Sequence, residues 1–363
     1  MRTFTDAMVP LDELTRADVE IAGGKGANLG ELRHAGFPVP PGFVIPAPAY
    51  LRVLEENGLR DRLLELHRQA QAGADVQEIG STARSLIEDL RLPDWFREAA
   101  AEKYRSLGDD VAVAVRSSAT AEDTAEASFA GMNETFTNVR GVDSLLSAVV
   151  ACWRSLYGDR VVAYRAVRGL DAEPAIAVVV QQMVAADRAG VMFSVDPATG
   201  AADRLVIEAA FGLGEVVVSG QVEPDTYVVD RSTRRILSAR VGLQTHRIVS
   251  GPDGDAREEL PPEQGGARVL SDDEVLALAE LGERVEQHYG TPQDMEWAYV
   301  GDTLYLLQSR PITTLPSQDG RADGDVLVSG LGASPGVAVG RVRVLRDVTQ
   351  GSSLRDGEVL VAT

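Results

Sequence analysis

Val115-Arg116-Ser117-Ser118-Ala119-Thr120-Ala121-Glu122-Asp123 runs on to Ser128-Phe129-Ala130-Gly131-Met132-Asn133-Glu134-Thr135-Phe136 in the N-terminal half of the chain. It opens at the end of a short apolar strand, Val111 to Val115, and stays polar and small through Asn138. An arginine at the end of a buried strand offers phosphoryl oxygens a planar fork of donors. Ser117, Ser118, Thr120, Ser128 and Thr135 could add hydroxyl donors. The same small polar residues also make a solvated loop. A loop this long inside a compact domain is more often functional than idle.

Upstream, Gly23-Gly24-Lys25-Gly26-Ala27-Asn28 precedes a helical pattern through Leu29 and Leu32, which Gly36 ends. Glycines let backbone N–H groups approach an anion, and a lysine adds a mobile charge. The spacing of a Walker A loop is absent. A glycine turn with a surface lysine is the bland alternative. Lysine scarcity favours function: Lys25 and Lys103 are the only lysines among 35 basic residues. Where arginine would serve, arginine is used, so Lys25 marks a place for a compact charge.

Downstream, Ala175 to Val184 reads as an apolar strand, paired with Ala189 to Val195 across a turn near Asp187-Arg188. Its end, Gln181-Gln182-Met183-Val184, could offer main chain to an adenine edge with Met183 against the base. An ordinary strand end with a core methionine fits the same residues. A last hairpin pairs Met295–Tyr299 with Leu304–Ser309. Alternation puts 296, 298 and 300 on one face, and Gln308 and Arg310 with Leu304 and Leu306. A three-residue connection, Gly301 to Thr303, sets Glu296 opposite Gln308, two oxygen donors suited to Mg²⁺ beside phosphates. Arg310 then faces the same phosphates. A two-residue connection breaks this alignment, and an exposed Glu296–Arg310 ion pair would be worth little.

Elsewhere, residues 48 to 107 read as helices, and Val142 to Val167 as one long helix. Thr226–Asp230 and Ile236–Val241 form a hairpin, and residues 249 to 268 a surface loop. Ser271-Asp272-Asp273-Glu274 starts a helix with a capping box. His34, His67, His246 and His288 lack a nucleophile or metal-ligand partner, and Cys152 reads as a buried, inert thiol.

The chain has 363 residues and a net charge of −20, from 55 acidic and 35 basic side chains. That balance argues against nucleic-acid partners and anionic membranes. A hydrophobic share of 44% indicates a globular protein of two or three domains or subdomains. No apolar run approaches a membrane span, and Met1 to Leu14 does not read as a secretory signal. One cysteine permits no internal disulfide, which suits a cytoplasmic setting.

The order of these stretches resembles a known family. It comprises the Gly-Gly-Lys-Gly-Ala-Asn run, Val115 to Asp123, Ser128 to Gly131, Gln181 to Val184, Gly190 to Pro197, Gly212-Leu213-Gly214-Glu215, and Gln293 to Trp297 with Gln308-Ser309-Arg310-Pro311. Residues 8 to 314 resemble the N-terminal ATP-binding domain of the phosphoenolpyruvate synthase and pyruvate phosphate dikinase family, a module shared with rifamycin phosphotransferases. The resemblance implies an α/β ATP-grasp fold, with lobes 1–190 and 191–314 clasping Mg·ATP. It implies that Lys25, Arg116 and Arg310 act on phosphates and that Gly131 and Thr135 lie on the loop over them. Gln181, Gln182, Met183 and Val184 would bind adenine and ribose, and Glu296 and Gln308 would ligate Mg²⁺. After a linker, 315–328, residues 329–363 look like the opening strands of the family's phosphohistidine domain. The sequence stops before that domain's histidine, which implies a fragment rather than half of a split enzyme. The partner is then a phosphohistidine domain, in cis or in trans. The short linker favours pyruvate as final acceptor over an antibiotic or other small molecule. A free-standing ATP-binding module is a third reading.

Overall fold

A computed structural model describes residues 8–120, 134–170, 172–251, 254–313, 315, 338–345, 354–355 and 357–362. Two antiparallel sheets organise the chain. The first runs β1 (Val9–Pro10), β2 (Gly42–Ile45), β5 (Ile176–Gln182), β3 (Val113–Ala119), β4 (Thr135–Val139). The second runs β13 (Thr303–Pro311), β12 (Gln293–Val300), β6 (Arg188–Phe193), β7 (Arg204–Phe211), β8 (Asp225–Asp230), β9 (Arg235–Arg240).

Alternation along the central strand β5 splits its valines between two cores. Val178 and Val180 join the helical side of the first sheet. That layer comprises α2 (Ala47–Glu56), α3 (Arg60–Gln71), α4 (Val76–Glu88), α5 (Asp94–Leu107), α6 (Val142–Ser155) and α7 (Asp159–Arg168). Trp153 is its centre, with the rings of Tyr50 and Phe96 each 5.3 Å away. Fully burying side chains of this size contributes roughly 2–3 kcal/mol apiece. Ala177 and Val179, on the opposite face, join the second core. It also takes Leu29 and Leu32 of α1 (Val19–His34), Met192 and Trp297 of the second sheet, and Leu278 of α10 (Asp272–Tyr289). The two sheets therefore share one core through α1. Polar contacts join them as well: Leu306 N–H donates to Pro38 C=O at 3.0 Å, and Tyr289 Oη to Asn28 C=O at 3.2 Å.

Several sequence expectations change. β5 does not pair with β6; five residues, 183–187, carry the chain from one sheet to the other. Met183 N–H is tied to Ala112 C=O in the first sheet, and Asp187 N–H to Tyr299 C=O in the second, so a hairpin turn cannot form between them. The single helix 142–167 is two, because a turn closed by Gly158 N–H on Ser155 C=O separates α6 from α7. The loop 249–268 holds most of a hairpin, β10 (His246–Gly251) with β11 (Gly254–Glu259), and a short α9 (Pro262–Gly265). One more short helix, α8 (Glu215–Val218), follows β7. The capping box forms: Ser271 Oγ accepts Glu274 N–H, and the Glu274 carboxylate accepts Ser271 N–H. In the tail, β14 (Arg341–Leu345) and β15 (Glu358–Ala362) pair in parallel, with Val342 and Val344 more than half exposed.

Candidate functional site

The hairpin β12–β13 turns through two residues, Gly301 and Asp302, since Val300 pairs with Thr303. Regular pairing from that turn would place Leu307 opposite Glu296 and send Gln308 to the core face. A β-bulge between Glu296 and Trp297 prevents this: Trp297 pairs with Leu306, but Glu296 with Gln308, so Leu307 is the extra residue. The bulge restores the alignment that a two-residue turn alone would break. It also corrects the facing. Leu306 and Ser309 are buried on the core side with Trp297 and Met295, whereas Gln308 and Arg310 stand with Glu296 and Asp294 on the opposite face.

The first sheet brings Arg116 to the same place. Arg116 Nη2 lies 3.5 Å from the Glu296 carboxylate and Nη1 3.4 Å from Gln308 Oε1. These contacts are long, and Arg116 Nε is buried with no partner among the described residues. A guanidinium held this loosely retains donor capacity for an incoming anion. The oxygens of Glu296 and Gln308 converge on one cationic group, so a hard cation would meet both from the same side. Glu296 and Gln308 are the two oxygen donors here that could hold a divalent cation. Among the described residues no cluster of three His, Cys, Asp or Glu side chains forms a metal site of its own.

Arg310 does not pair with Glu296. It donates to Asp294 through Nε at 2.9 Å and Nη2 at 2.8 Å. Burial pushes the Asp294 carboxyl above the usual range; Arg310 pulls it back, and the Glu296 charge pushes it further up. Sequence reading quoted Asp294 without giving it a role. Its signal was the two-residue spacing to Glu296, which places both on one strand face. Glu208 was missed outright. It sits on the rung Gln308–Glu296–Val191–Glu208–Thr226–Arg240 that crosses the second sheet. Burial raises its carboxyl too, with Arg240 opposing and Asp294 adding.

Thr135 lies directly opposite Arg116 on β4 and therefore on the same face. Gly131 falls outside the described residues. Ser117 and Ser118 are fully buried and already engaged, so they are not phosphate donors. Ser117 Oγ accepts Glu134 N–H, and Ser118 Oγ binds the glycine run of α1. Lys25 sits in that run, half-buried, at the start of the helical segment after Gly23.

At the end of β5, Gln181 pairs with Ala114 and shares the Arg116 face, two residues beyond Val179. It is 2% exposed, and its Nε2 has no partner among the described residues. Gln182 points to the other face, its N–H bound to Pro41 C=O. Met183 and Val184, just past the end of β5, pack in an apolar cluster with Leu213, Ile248, Ala298 and the bulge residue Leu307. Val184 N–H makes no hydrogen bond among the described residues. Arg116, Glu296 and Gln308 are thus in contact, Thr135 is adjacent in register, and the apolar cluster joins the crossing segment 183–187 to the second sheet.

The sequence profile described as "Pyruvate phosphate dikinase, AMP/ATP-binding domain" matches residues 19–326. A probable phosphoenolpyruvate synthase of Methanothermobacter thermautotrophicus is 45% identical over 361 residues, covering 96% of this chain and 53% of its own. A probable phosphoenolpyruvate synthase of Methanocaldococcus jannaschii is 43% identical, covering 97% of this chain and 31% of its own. The phosphoenolpyruvate synthase of Pyrococcus furiosus is 38% identical, covering 97% and 50%. The chain spans about half the length, or less, of the curated relatives it matches. It belongs to the pyruvate phosphate dikinase AMP/ATP-binding domain family.

Proposed function

We propose that this chain is the Mg·ATP-binding, phosphoryl-donating part of a phosphoenolpyruvate synthase-like dikinase with an ATP-grasp fold. The contact of Arg116 with Glu296 and Gln308 between the two sheets carries the reading. Residues 1–190 and 191–314 would be the two lobes, 315–328 a linker, and 329–363 the start of a phosphohistidine domain. Gln181 to Val184 hold adenine and ribose, with Met183 and Leu307 in the apolar cluster. Lys25, Arg116 and Arg310 bind the phosphates, with Thr135 on β4 beside Arg116; Gly131, expected on a loop with Thr135, lies outside the described residues, and Thr135 is on a strand instead.

Phosphoryl transfer needs positioning and charge neutralisation more than covalent protein chemistry. Mg²⁺, held by Glu296 and Gln308, supplies part of that neutralisation when bound. Arg116 reaches from the first sheet to Glu296 and Gln308 on the second, and phosphate oxygens would replace those two oxygens as acceptors for its donors. Lys25 adds a compact charge from α1. The acceptor is a histidine nitrogen on a further domain: it takes the two terminal phosphates as the bond to AMP breaks, and water then cleaves the outer one as inorganic phosphate, leaving a phosphohistidine. Pyruvate, through its enol oxygen, takes the remaining phosphoryl group as the P–N bond to the histidine breaks. A rifamycin-type or other small-molecule acceptor is the alternative. Among the described residues no helix is long and apolar enough to cross a membrane.

Calorimetry with ATP, with and without Mg²⁺, tests the site. Mg²⁺ should tighten binding to the wild type and not to Glu296→Ala/Gln308→Ala; an equal gain in both sinks the assignment. Added in trans, a phosphohistidine domain should become labelled with AMP as product. ADP as the only nucleotide product would defeat the dikinase reading.

A further inference from the structure

Helix α1 is broken at Gly23, where φ is 68° and ψ 170°. The cause is a side chain from another element. In an unbroken helix Gly26 N–H would donate to Ala22 C=O, four residues back. Here Ser118 Oγ stands between them: it accepts Gly26 N–H at 3.2 Å and donates to Ala22 C=O at 2.9 Å. Insertion of a polar group into the helical ladder is an established cause of a kink. The space is reserved at both ends. Ser118 is fully buried, and a Cβ on Gly23 would fall on Ser118 Oγ and its carbonyl. Gly23 also has the positive φ that favours glycine.

The opened turn is the one that carries Lys25, and Ser118 lies two residues from Arg116 on the same face of β3. One hydroxyl therefore ties the lysine-bearing turn to the arginine-bearing strand. We infer that Ser118 is a positioning residue: it sets Lys25 relative to Arg116 so that both cations address one polyphosphate. This rests on the proposed ATP site and adds to it a residue that touches no nucleotide.

The test is a double-mutant cycle in the full chain, read by calorimetry with ATP and with adenosine. Ser118→Ala should weaken ATP about tenfold, or about 1.4 kcal/mol, and leave adenosine within about twofold. Ser118→Cys, of similar shape but a weaker hydrogen-bonding group, should fall between and serves if the alanine variant does not fold. In a Lys25→Met background, Ser118→Ala should cause no further loss of ATP affinity. Additive losses, or equal losses for adenosine and ATP, would overturn the positioning role while leaving the ATP site intact. Wild-type ATP affinity in Lys25→Met alone would overturn the phosphate role of Lys25, and the role of Ser118 with it.

Discussion

Arg116→Ala separates the two jobs the structure gives this side chain. Without nucleotide, Arg116 meets Glu296 and Gln308 at 3.5 and 3.4 Å, at the edge of hydrogen bonding. Its side chain is 14% exposed and that of Glu296 29%, so the pair is partly screened. Such a pair contributes about 1 kcal/mol or less to folding. With ATP bound, the same guanidinium would make charge-assisted bonds to phosphate, each worth roughly 1.5–3 kcal/mol. The variant should therefore lose about 3 kcal/mol of ATP affinity, on the order of 100-fold in Kd, and only a small part of its stability. Calorimetry with ATP and adenosine, beside a urea melt, measures both. Adenosine binding should be unchanged, because the apolar cluster lies at the end of β5 and not at Arg116. Wild-type ATP affinity would refute the phosphate role. A large, equal loss for ATP and adenosine would show that Arg116 only holds the sheets together.

Three further outcomes follow from the geometry. The tip of the β10–β11 hairpin reaches the edge strand β4, where Thr137 Oγ1 donates to Asp255 at 2.5 Å and Asn138 Nδ2 to Gly251 C=O at 2.6 Å. Thr137→Val/Asn138→Gly removes both bonds, and glycine suits the φ of 53° at 138; if this contact closes the proposed nucleotide site, two bonds of about 1 kcal/mol each should quicken stopped-flow ATP release on the order of thirtyfold, and unchanged release would show that the contact does not hold the nucleotide. Arg60 donates to both carboxylate oxygens of Glu173, at 2.7 and 2.8 Å, and holds its carboxyl below the usual range. A depressed carboxyl stabilises above its unfolded pKa, and that stability is lost as pH falls through the folded value. Wild type should thus exceed Glu173→Gln in melting temperature at pH 7, and the gap should close on acidification below about pH 4; a constant gap contradicts the ion pair. Finally, a Cβ on Gly190 would strike the Glu208 carbonyl and the Trp297 ring, so Gly190→Ala should cost about 1–3 kcal/mol in urea unfolding, and no cost would contradict the pairing of β6 with β7 and β12.

The parts of the site legible in the sequence were those fixed by strand alternation. Glu296 was placed on its face correctly because a strand side chain's direction depends only on parity. Gln308 was placed opposite it on a three-residue turn that does not exist; Leu307, inserted as a bulge, brings about the same pairing by another route. A bulge leaves no mark in a run such as Leu304-Tyr305-Leu306-Leu307, where every residue is apolar or aromatic. The β5–β6 hairpin failed because nearness in sequence was read as pairing. The buried valines of β5 demand partners on both faces, and the crossing segment is anchored to a different sheet at each end. The β10–β11 hairpin was hidden by composition. Its second strand is almost wholly exposed and rich in charge, so it lacks the apolar alternation that marks a half-buried strand. The net charge of −20 excluded polyanion surfaces yet is compatible with a polyanionic ligand. The proposed site would depend on a local field, in which Arg116, Arg310 and Lys25 would have to outweigh Asp294, Glu296 and an unfavourable average.

Arg116, Glu296 and Gln308, brought together from the two sheets, are proposed to hold Mg·ATP. A crystal structure of this chain with a non-hydrolysable ATP analogue and Mg²⁺ should show phosphate oxygens on Arg116, Mg²⁺ between Glu296 and Gln308, and adenine against Met183, Val184 and Leu307. Nucleotide bound elsewhere, or bound here with Arg116 still on Glu296 and no cation between Glu296 and Gln308, would contradict that assignment.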